Sequence, residues 1–400
     1  MPKRQPTRRF ETRKAAIVAS AVGVLNRKGV RGMTLADVAA SLDLVPTAVI
    51  YYFKNKEELA QACFLKAIDR FDQLLDAGAA GQSAEQRVGL FLKAYFDFKC
   101  QVVTGAAEPV AVFNDVRALN QPAVNDAYIA MFRKTRALLV GPETSRWTRT
   151  ELNARAHLLI SEVFWTVAWI YRHDAEDFGR IAGRVIAMTV DGLAAPHAAW
   201  SPIPLPASVV EGPDAANELF LRAATELINE EGYVGASVEK ISARLNVTKG
   251  AFYHHHETKD ELVIACFERT FQVMRAAIRE AERVGRSGYQ VLTTAASALV
   301  EYQMSGNARL LRTSALTSAP EAIQPRLLGE FDRISLRFAS LIGDGIADGS
   351  IRPVDANLAA QMMTGMINAS AELHFWTKGV TADVAVQTYV RPFFEGLFRA

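Results

Sequence analysis

Two stretches of this chain, 203 residues apart, carry one pattern without a gap. Ile17, Ala21, Val24 and Leu25 are answered by Phe220, Ala224, Leu227 and Ile228. Both sets have the i, i+4, i+7, i+8 spacing of a single buried helix face. Gly29 aligns with Gly232, Gly32 with Gly235, Thr34 with Ser237, Val38 with Ile241, Leu42 with Leu245 and Ala48 with Ala251. Lys56, Glu58 and Leu59 align with Lys259, Glu261 and Leu262, and Ala62-Cys63-Phe64 recurs as Ala265-Cys266-Phe267. A chain that repeats both its apolar periodicity and its polar punctuation is built as two similar halves.

Pro196, Pro202, Pro204, Pro206 and Pro213 crowd the interval between the halves. Proline removes a backbone donor and restricts the residue before it, so this interval is expected to be extended. Elsewhere the periodicity is helical and alternating β-branched runs are absent. The expected helices are 83–103, 121–140, 148–174 and 177–194 in the first half. Those of the second half are 287–304, 321–347, 355–377 and 383–398.

Each half opens with three helices. The first ends near Gly29 or Gly232, where glycine accepts a left-handed cap. Thr34 suits an N-cap with Asp37 in capping-box position, and Ser237 caps likewise with Lys240 in place of the acid. A short helix then ends at Leu42 or Leu245, and Asp43 or Asn246 occupies the turn, where such side chains tolerate positive φ. Another short helix starts at Pro46 or after Thr248. Small residues (Ala39 and Ala48; Ser242 and Ala251) let the two short helices approach. This is the spacing of a helix-turn-helix, whose second helix can present its first side chains to base edges in the major groove.

Through Thr34-Leu35-Ala36-Asp37-Val38-Ala39 and Val45 to Leu59, and through Val247 to Leu262 in the second half, the sequence resembles the tetracycline-repressor (TetR) family of regulators. The motif covers about fifty residues per half; beyond it the likeness is one of helix length and all-helical character. It departs at Ile50, where the family often has tyrosine, and at His256, where a packed phenylalanine is usual. The resemblance implies a ligand- or partner-responsive domain whose last two long helices form a four-helix dimer interface. The expected fold is therefore all-α, with two tandem helix-turn-helix DNA-binding domains each followed by a helical ligand and dimerisation domain. The expected limits are 1–62 for the first helix-turn-helix with its basic arm and 63–197 for its regulatory domain. They are 198–210 for the linker, 211–265 for the second helix-turn-helix and 266–400 for the second regulatory domain.

Charge distinguishes the copies. Residues 1–60 hold eleven Lys and Arg against five Asp and Glu, whereas residues 209–263 hold five against ten. Affinity for DNA rests largely on cations displacing counterions at phosphates, so the first copy is the expected binder. Val45, Pro46 and Thr47 take the base-edge positions, and Thr34, Tyr51, Tyr52 and Lys56 the phosphate positions. Arg4, Arg8 and Arg9 form an arm able to enter the minor groove. Thr248, Lys249, Gly250, Tyr253, His254 and Lys259 hold the equivalent places in the acidic copy, which is expected to bind weakly or to serve as a pairing module.

Phe91, Tyr95, Phe98, Phe113, Phe164, Trp165, Trp169, Phe375 and Trp376 are candidates for a pocket taking a small hydrophobic or aromatic effector, against ordinary core packing. Glu162 and Glu372 interrupt apolar faces; exposure is the simpler placement for both. His254-His255-His256 are adjacent and cannot converge on a metal from one helix. Cys63, Cys100 and Cys266 have no metal-ligand spacing, and their odd number suggests no disulfide framework, so a reducing, cytoplasmic setting is expected. The basic start followed by the apolar run 15–25 imitates a secretory signal, but the pattern recurs mid-chain, and no uncharged stretch reaches the roughly 18 residues of a membrane span. No nucleophile–base spacing, phosphate-binding glycine loop or metal cluster points to an enzyme, and no cofactor is expected. The leading function is a regulator, a repressor by preference, bound to a double-stranded DNA operator under the control of a small molecule. It would act as a pseudo-dimer within one chain or as a homodimer of chains. The competing one is a helical interaction scaffold with a degenerate helix-turn-helix.

Overall fold

In the computed structural model, which describes residues 8–206, 215–248, 258–305, 310–312 and 322–399, the chain is helical throughout. Among these residues no strand forms; a single isolated bridge joins Ala194 to Ile351. The first half comprises α1 (Arg8–Gly32), α2 (Leu35–Ala40), α3 (Pro46–Ile50), α4 (Lys56–Ala79), α5 (Ala84–Val103), α6 (Pro122–Leu138), α7 (Arg149–Trp165) and α8 (Phe178–Asp191). The second comprises α9 (Ala215–Gly235), α10 (Val238–Leu245), α11 (Lys259–Val284), α12 (Gly288–Met304), α13 (Gln324–Ala347), α14 (Ala356–Ala369), α15 (Leu373–Trp376), α16 (Ala382–Ala385) and α17 (Arg391–Glu395).

The local signals act where they were expected. Gly29 and Gly232 take φ of 67° and 71° and break α1 and α9 before a last turn. Asp43 and Asn246 take φ of 53° and 55°. Each copy also has an asparagine, Asn26 and Asn229, that clasps a loop of its own regulatory bundle. Asn26 donates to the Val110 carbonyl (3.0 Å) and accepts from the Val112 amide (2.9 Å). Asn229 donates to the Leu310 carbonyl (3.0 Å) and accepts from the Arg312 amide (2.9 Å). Cys63 and Cys266 are buried core residues facing the carbonyls of Val18 and Leu221. Burial pushes both thiols up to about 12.

One helix crosses each junction between a helix-turn-helix and its bundle: α4 runs through residue 62, and α11 through residue 265. Any tilt of the bundle's first helix is thus carried rigidly into the head. The described part of the linker, to Pro206, is extended and lies on the second half, where the Ile203 amide donates to Thr294 Oγ1 (3.0 Å).

Three expected helices are shorter or broken. The helix expected over 148–174 stops at Trp165 and continues as short 3-10 turns. Thr166 donates to the Val163 carbonyl (2.8 Å) and meets Tyr95 Oη, and Trp169 leaves helical geometry at φ −137°. The helix expected over 355–377 breaks at Ser370, whose hydroxyl bonds the Ile367 carbonyl at 2.7 Å. The last one, 383–398, contains a π turn at Val386–Val390 before Pro392 and ends at Gly396 with φ 105°. A side-chain hydroxyl that bonds a carbonyl one turn back competes with the helical ladder, which periodicity cannot reveal.

The halves are joined through α7 and α14. Residues 154–163 of α7 and 358–367 of α14 are buried all round, as befits helices enclosed on every side. α7 packs on α14 and the π turn, while α8 meets α14 and α17. A Cβ on Gly365 would lie 2.6 Å from Trp165 Cγ, so glycine there sets how closely α7 and α14 approach. At one end of the seam Phe394 accepts from the Leu193 (2.7 Å) and Ala194 (2.9 Å) amides, and Arg352 donates to the carbonyls of Gly192 (2.7 Å) and Ala187 (2.8 Å). At the other, Trp376 stacks on Phe132 with ring centres 3.6 Å apart.

This seam overturns one expectation. Glu162 is 6% exposed, and neither carboxylate oxygen has a hydrogen-bond partner. The helix that carries it is covered by α14 and the π turn of the other half as well as by α6. Glu372 is partly buried and paired with Arg312 at 3.1 Å.

Candidate nucleic-acid interface

The first head is held by local chemistry. Thr34 Oγ1 accepts from the Asp37 amide (3.1 Å), while Asp37 Oδ2 accepts from the Thr34 amide (3.2 Å) and hydroxyl (2.8 Å). Lys28 adds an ion pair to Asp37 at 2.7 Å, and this bond, ahead of those from Thr34, holds the carboxyl below its usual range. The turn after α2 closes with the Leu44 amide on the Ala39 carbonyl (2.9 Å), and Pro46 then opens α3. Val38, Ala39, Val49 and Phe53 are buried beneath it. Each large apolar side chain so covered stabilises the crossing by about 1.5–3 kcal/mol.

That packing leaves one face of α3 outward. Val45 is 63% exposed, Ile50 48% and Tyr51 72%, and Pro46 and Thr47 are exposed beside them. Apolar side chains clustered on a rigid tip mark a contact surface rather than a core. Phe10 completes the tip and was not singled out from the sequence. Its ring lies 4.8 Å from that of Tyr52 and 5.9 Å from that of Tyr51, whose rings are 5.1 Å apart. The start of α1 is thereby fixed beside α3, which brings exposed Arg8 and Arg9 to the same tip. Lys14 sits 5.4 Å from the centre of the Phe53 ring. Arg4 lies outside the described residues. Lys56 is half-buried, and its ammonium caps the Arg31 carbonyl at 2.8 Å, tying α4 to the end of α1.

The second head has a similar frame and different electrostatics. Ser237 caps α10 by accepting from the Lys240 amide (3.3 Å). Its described cations face its own acids: Arg222 pairs with Glu218 (2.8 Å), Arg244 with Glu230 (2.9 Å) and Lys240 with Glu231. Burial lowers the Lys259 ammonium, against the opposing fields of Asp260 and Glu239. Glu231 also takes Arg31 of the first head at 3.0 Å, so the two heads touch through an ion pair. Thr248 is exposed. Lys249, Gly250, Tyr253, His254, His255 and His256 lie outside the described residues.

The aromatic candidates divide among several places. Phe113, Phe164 and Trp165 line a cavity of about 300 Å³ between the halves. Tyr95 and Phe98, with Phe113 and Phe164 again, line a smaller one of about 110 Å³ inside the first bundle. Trp169 lines an outer groove. Phe91 is buried against Gly78, and Phe375 and Trp376 pack around Arg117 at 4.0 and 5.1 Å; these three lie outside both cavities. His157, Arg172, Arg312 and Asp332 on the larger cavity had no signal in the sequence, because they meet only where the two halves come together. Among the described residues no group of three or more His, Cys, Asp or Glu is placed to hold a metal, and no helix is long and apolar enough to cross a membrane.

The model of bacterial regulatory proteins of the tetR family matches twice, at residues 17–63 and 220–266. The chain is 24% identical over 153 residues to the transposon Tn10 TetC protein of Escherichia coli, covering 36% of this chain and 73% of that one. It is 26% identical over 154 residues to the HTH-type transcriptional repressor DhaR of a Mycobacterium species, covering 38% of this chain and 76% of that one. Among solved structures, the TetR family transcriptional regulator PfmR from Thermus thermophilus aligns with 22% identity over 45% of this chain and 99% of its own, with a TM-score of 0.39. Two matches to the tetR-family model, the first on a head whose α3 faces outward, give this chain two tandem TetR-like helix-turn-helix motifs, the motif of bacterial regulatory proteins of that family.

Proposed function

We propose that the chain is a repressor that behaves as a pseudo-dimer within one polypeptide, with unequal heads. The first head reads duplex DNA, the second holds its partner head, and a small apolar effector alters the affinity. The carrying observation is the exposed tip of Val45, Pro46, Thr47 and Tyr51 beside Arg8 and Arg9, set on a buried frame. Val45, Pro46 and Thr47 meet base edges; Tyr51 and Tyr52 orient the backbone, with Arg8 and Arg9 on the first turn of α1 and Arg4 in the arm before it. Lys56 and Thr34 support the frame from within it. In the second head, Thr248, Lys249, Gly250, Tyr253, His254 and Lys259 hold the equivalent sequence positions, in a stretch with five Lys and Arg against ten Asp and Glu, and a net negative charge repels phosphate. The two heads and two bundles follow the division 1–62, 63–197, 211–265 and 266–400 around the linker 198–210, with α4 and α11 shared. Among the relatives DhaR is a repressor and FasR of Mycolicibacterium smegmatis, 28% identical over 125 residues, an activator; the sign proposed follows DhaR.

The test is selection of bound fragments from random duplex DNA, repeated with Thr47→Ala/Tyr51→Ala, both exposed positions. Wild type should enrich one dominant motif without a symmetric partner, and the variant should lose it. An unchanged motif in the variant would refute the assignment of the reading surface.

A further inference from the structure

We propose that the chain holds one ligand per polypeptide, in the seam between its halves, and that this ligand is an apolar aromatic carboxylate. The proposal deepens the effector reading given above and rests on it. Phe113, Tyr128, Phe164 and Trp165 from the first half face Leu328 and Phe331 from the second across a cavity of about 300 Å³. That is the volume of about ten liquid waters. The aromatic part of that wall suits a flat apolar body.

The polar groups on the wall select the rest of the ligand. Trp165 Nε1 is buried without a hydrogen-bond partner although its ring lines the cavity. Arg172 brings a guanidinium with five donors, of which Nη2 serves Asp332. The buried Gln361 adds an amide to the same wall. The acids are already answered, Asp332 by Arg172 and Glu372 by Arg312. An incoming carboxylate therefore meets donors and no uncompensated anion. His157 donates Nε2–H to the Ala369 carbonyl at 2.9 Å, and burial lowers its basicity, so it adds no charge at neutral pH.

There is a way in. Tyr171, Arg172, Asp332, Ser335 and Gln361 also line an outer groove of about 580 Å³. The Arg172–Asp332 pair, which crosses from one half to the other, stands where groove and cavity meet.

The site is also connected to both heads. The Asn26 clasp holds Val110 and Val112, next to Phe113 on the wall, and the Asn229 clasp holds Arg312, itself on the wall. A ligand that bridges the halves favours one relative setting of the two heads over others through its differential contacts.

The test uses the full chain without DNA, so its failure is separate from any failure of operator binding. Naphthoate and the neutral naphthylmethanol are titrated by calorimetry. Expected are one site per chain and a preference of about tenfold for the acid. Arg172→Gln/Asp332→Asn, which removes the pair together and leaves no unanswered anion, should abolish that preference with little change in melting temperature. Leu328→Trp, at the exposed rim on the second half, should weaken both probes. Two sites per chain, no saturable binding, no preference for the acid, or indifference to Leu328→Trp would each overturn the proposal.

Discussion

Replacing Glu162 with glutamine should stabilise this protein at neutral pH. Glu162 is buried in the seam with both oxygens unpartnered, and burial pushes its carboxyl well above the usual carboxylate range. In the unfolded chain it titrates near 4.3. From that pH up to the raised folded value, the folded state binds one more proton than the unfolded state. Stability therefore falls as pH rises through this window. At about 1.36 kcal/mol per pH unit, the cost accumulated by pH 7 has a ceiling of about 3–4 kcal/mol. Glutamine keeps the shape, ionises in neither state, and removes the slope. His157, held neutral by burial, contributes a slope of the opposite sign below about pH 6.5, so the difference between wild type and variant isolates Glu162. Thermal melts at several pH values read the effect. The variant should melt up to about 4 °C higher at pH 7 and level with wild type near pH 4. Equal melting at both pH values would refute the buried, unpartnered placement.

Two further outcomes follow from the same contacts. Phe10→Ala removes two ring contacts at the tip, each worth about 0.5–1.5 kcal/mol; operator affinity measured by fluorescence anisotropy should fall several-fold while the melting temperature changes little. Asn26→Ala strands the Val110 carbonyl and Val112 amide at a cost of about 1–3 kcal/mol, read as a lower urea midpoint, and should leave naphthoate binding in place.

What the sequence showed and what it hid divide along one line. Gly29, Asp43, Thr34 with Asp37, and Pro46 each act within a few residues of themselves, so their roles were readable and the structure has them so. The repeat carried the architecture, since α9 and α10 retrace α1 and α2 to the same turn geometry. The stop at Trp165 depends on Thr166 meeting Tyr95 on another helix, and no period in α7 records that. Glu162 and His157 are buried because α7 is packed between α6 of its own half and α14 of the other, a fact of tertiary packing alone. The cavity was half legible: Phe113, Phe164 and Trp165 stood out as aromatics, whereas Arg172, Asp332 and Arg312 join them only when the halves meet. Phe10, a lone aromatic beside two arginines, was a signal that periodicity passes over because it precedes the buried face of α1.

The unequal duties of the two heads are tested most directly by the salt dependence of operator binding, compared for Arg8→Gln/Arg9→Gln and for Lys249→Gln/Lys259→Gln. Each lost phosphate contact lowers the slope of log affinity against log salt by about 0.9. The first pair should flatten the slope by nearly two while the second leaves it as in wild type. A slope altered by the second pair and untouched by the first would contradict the account.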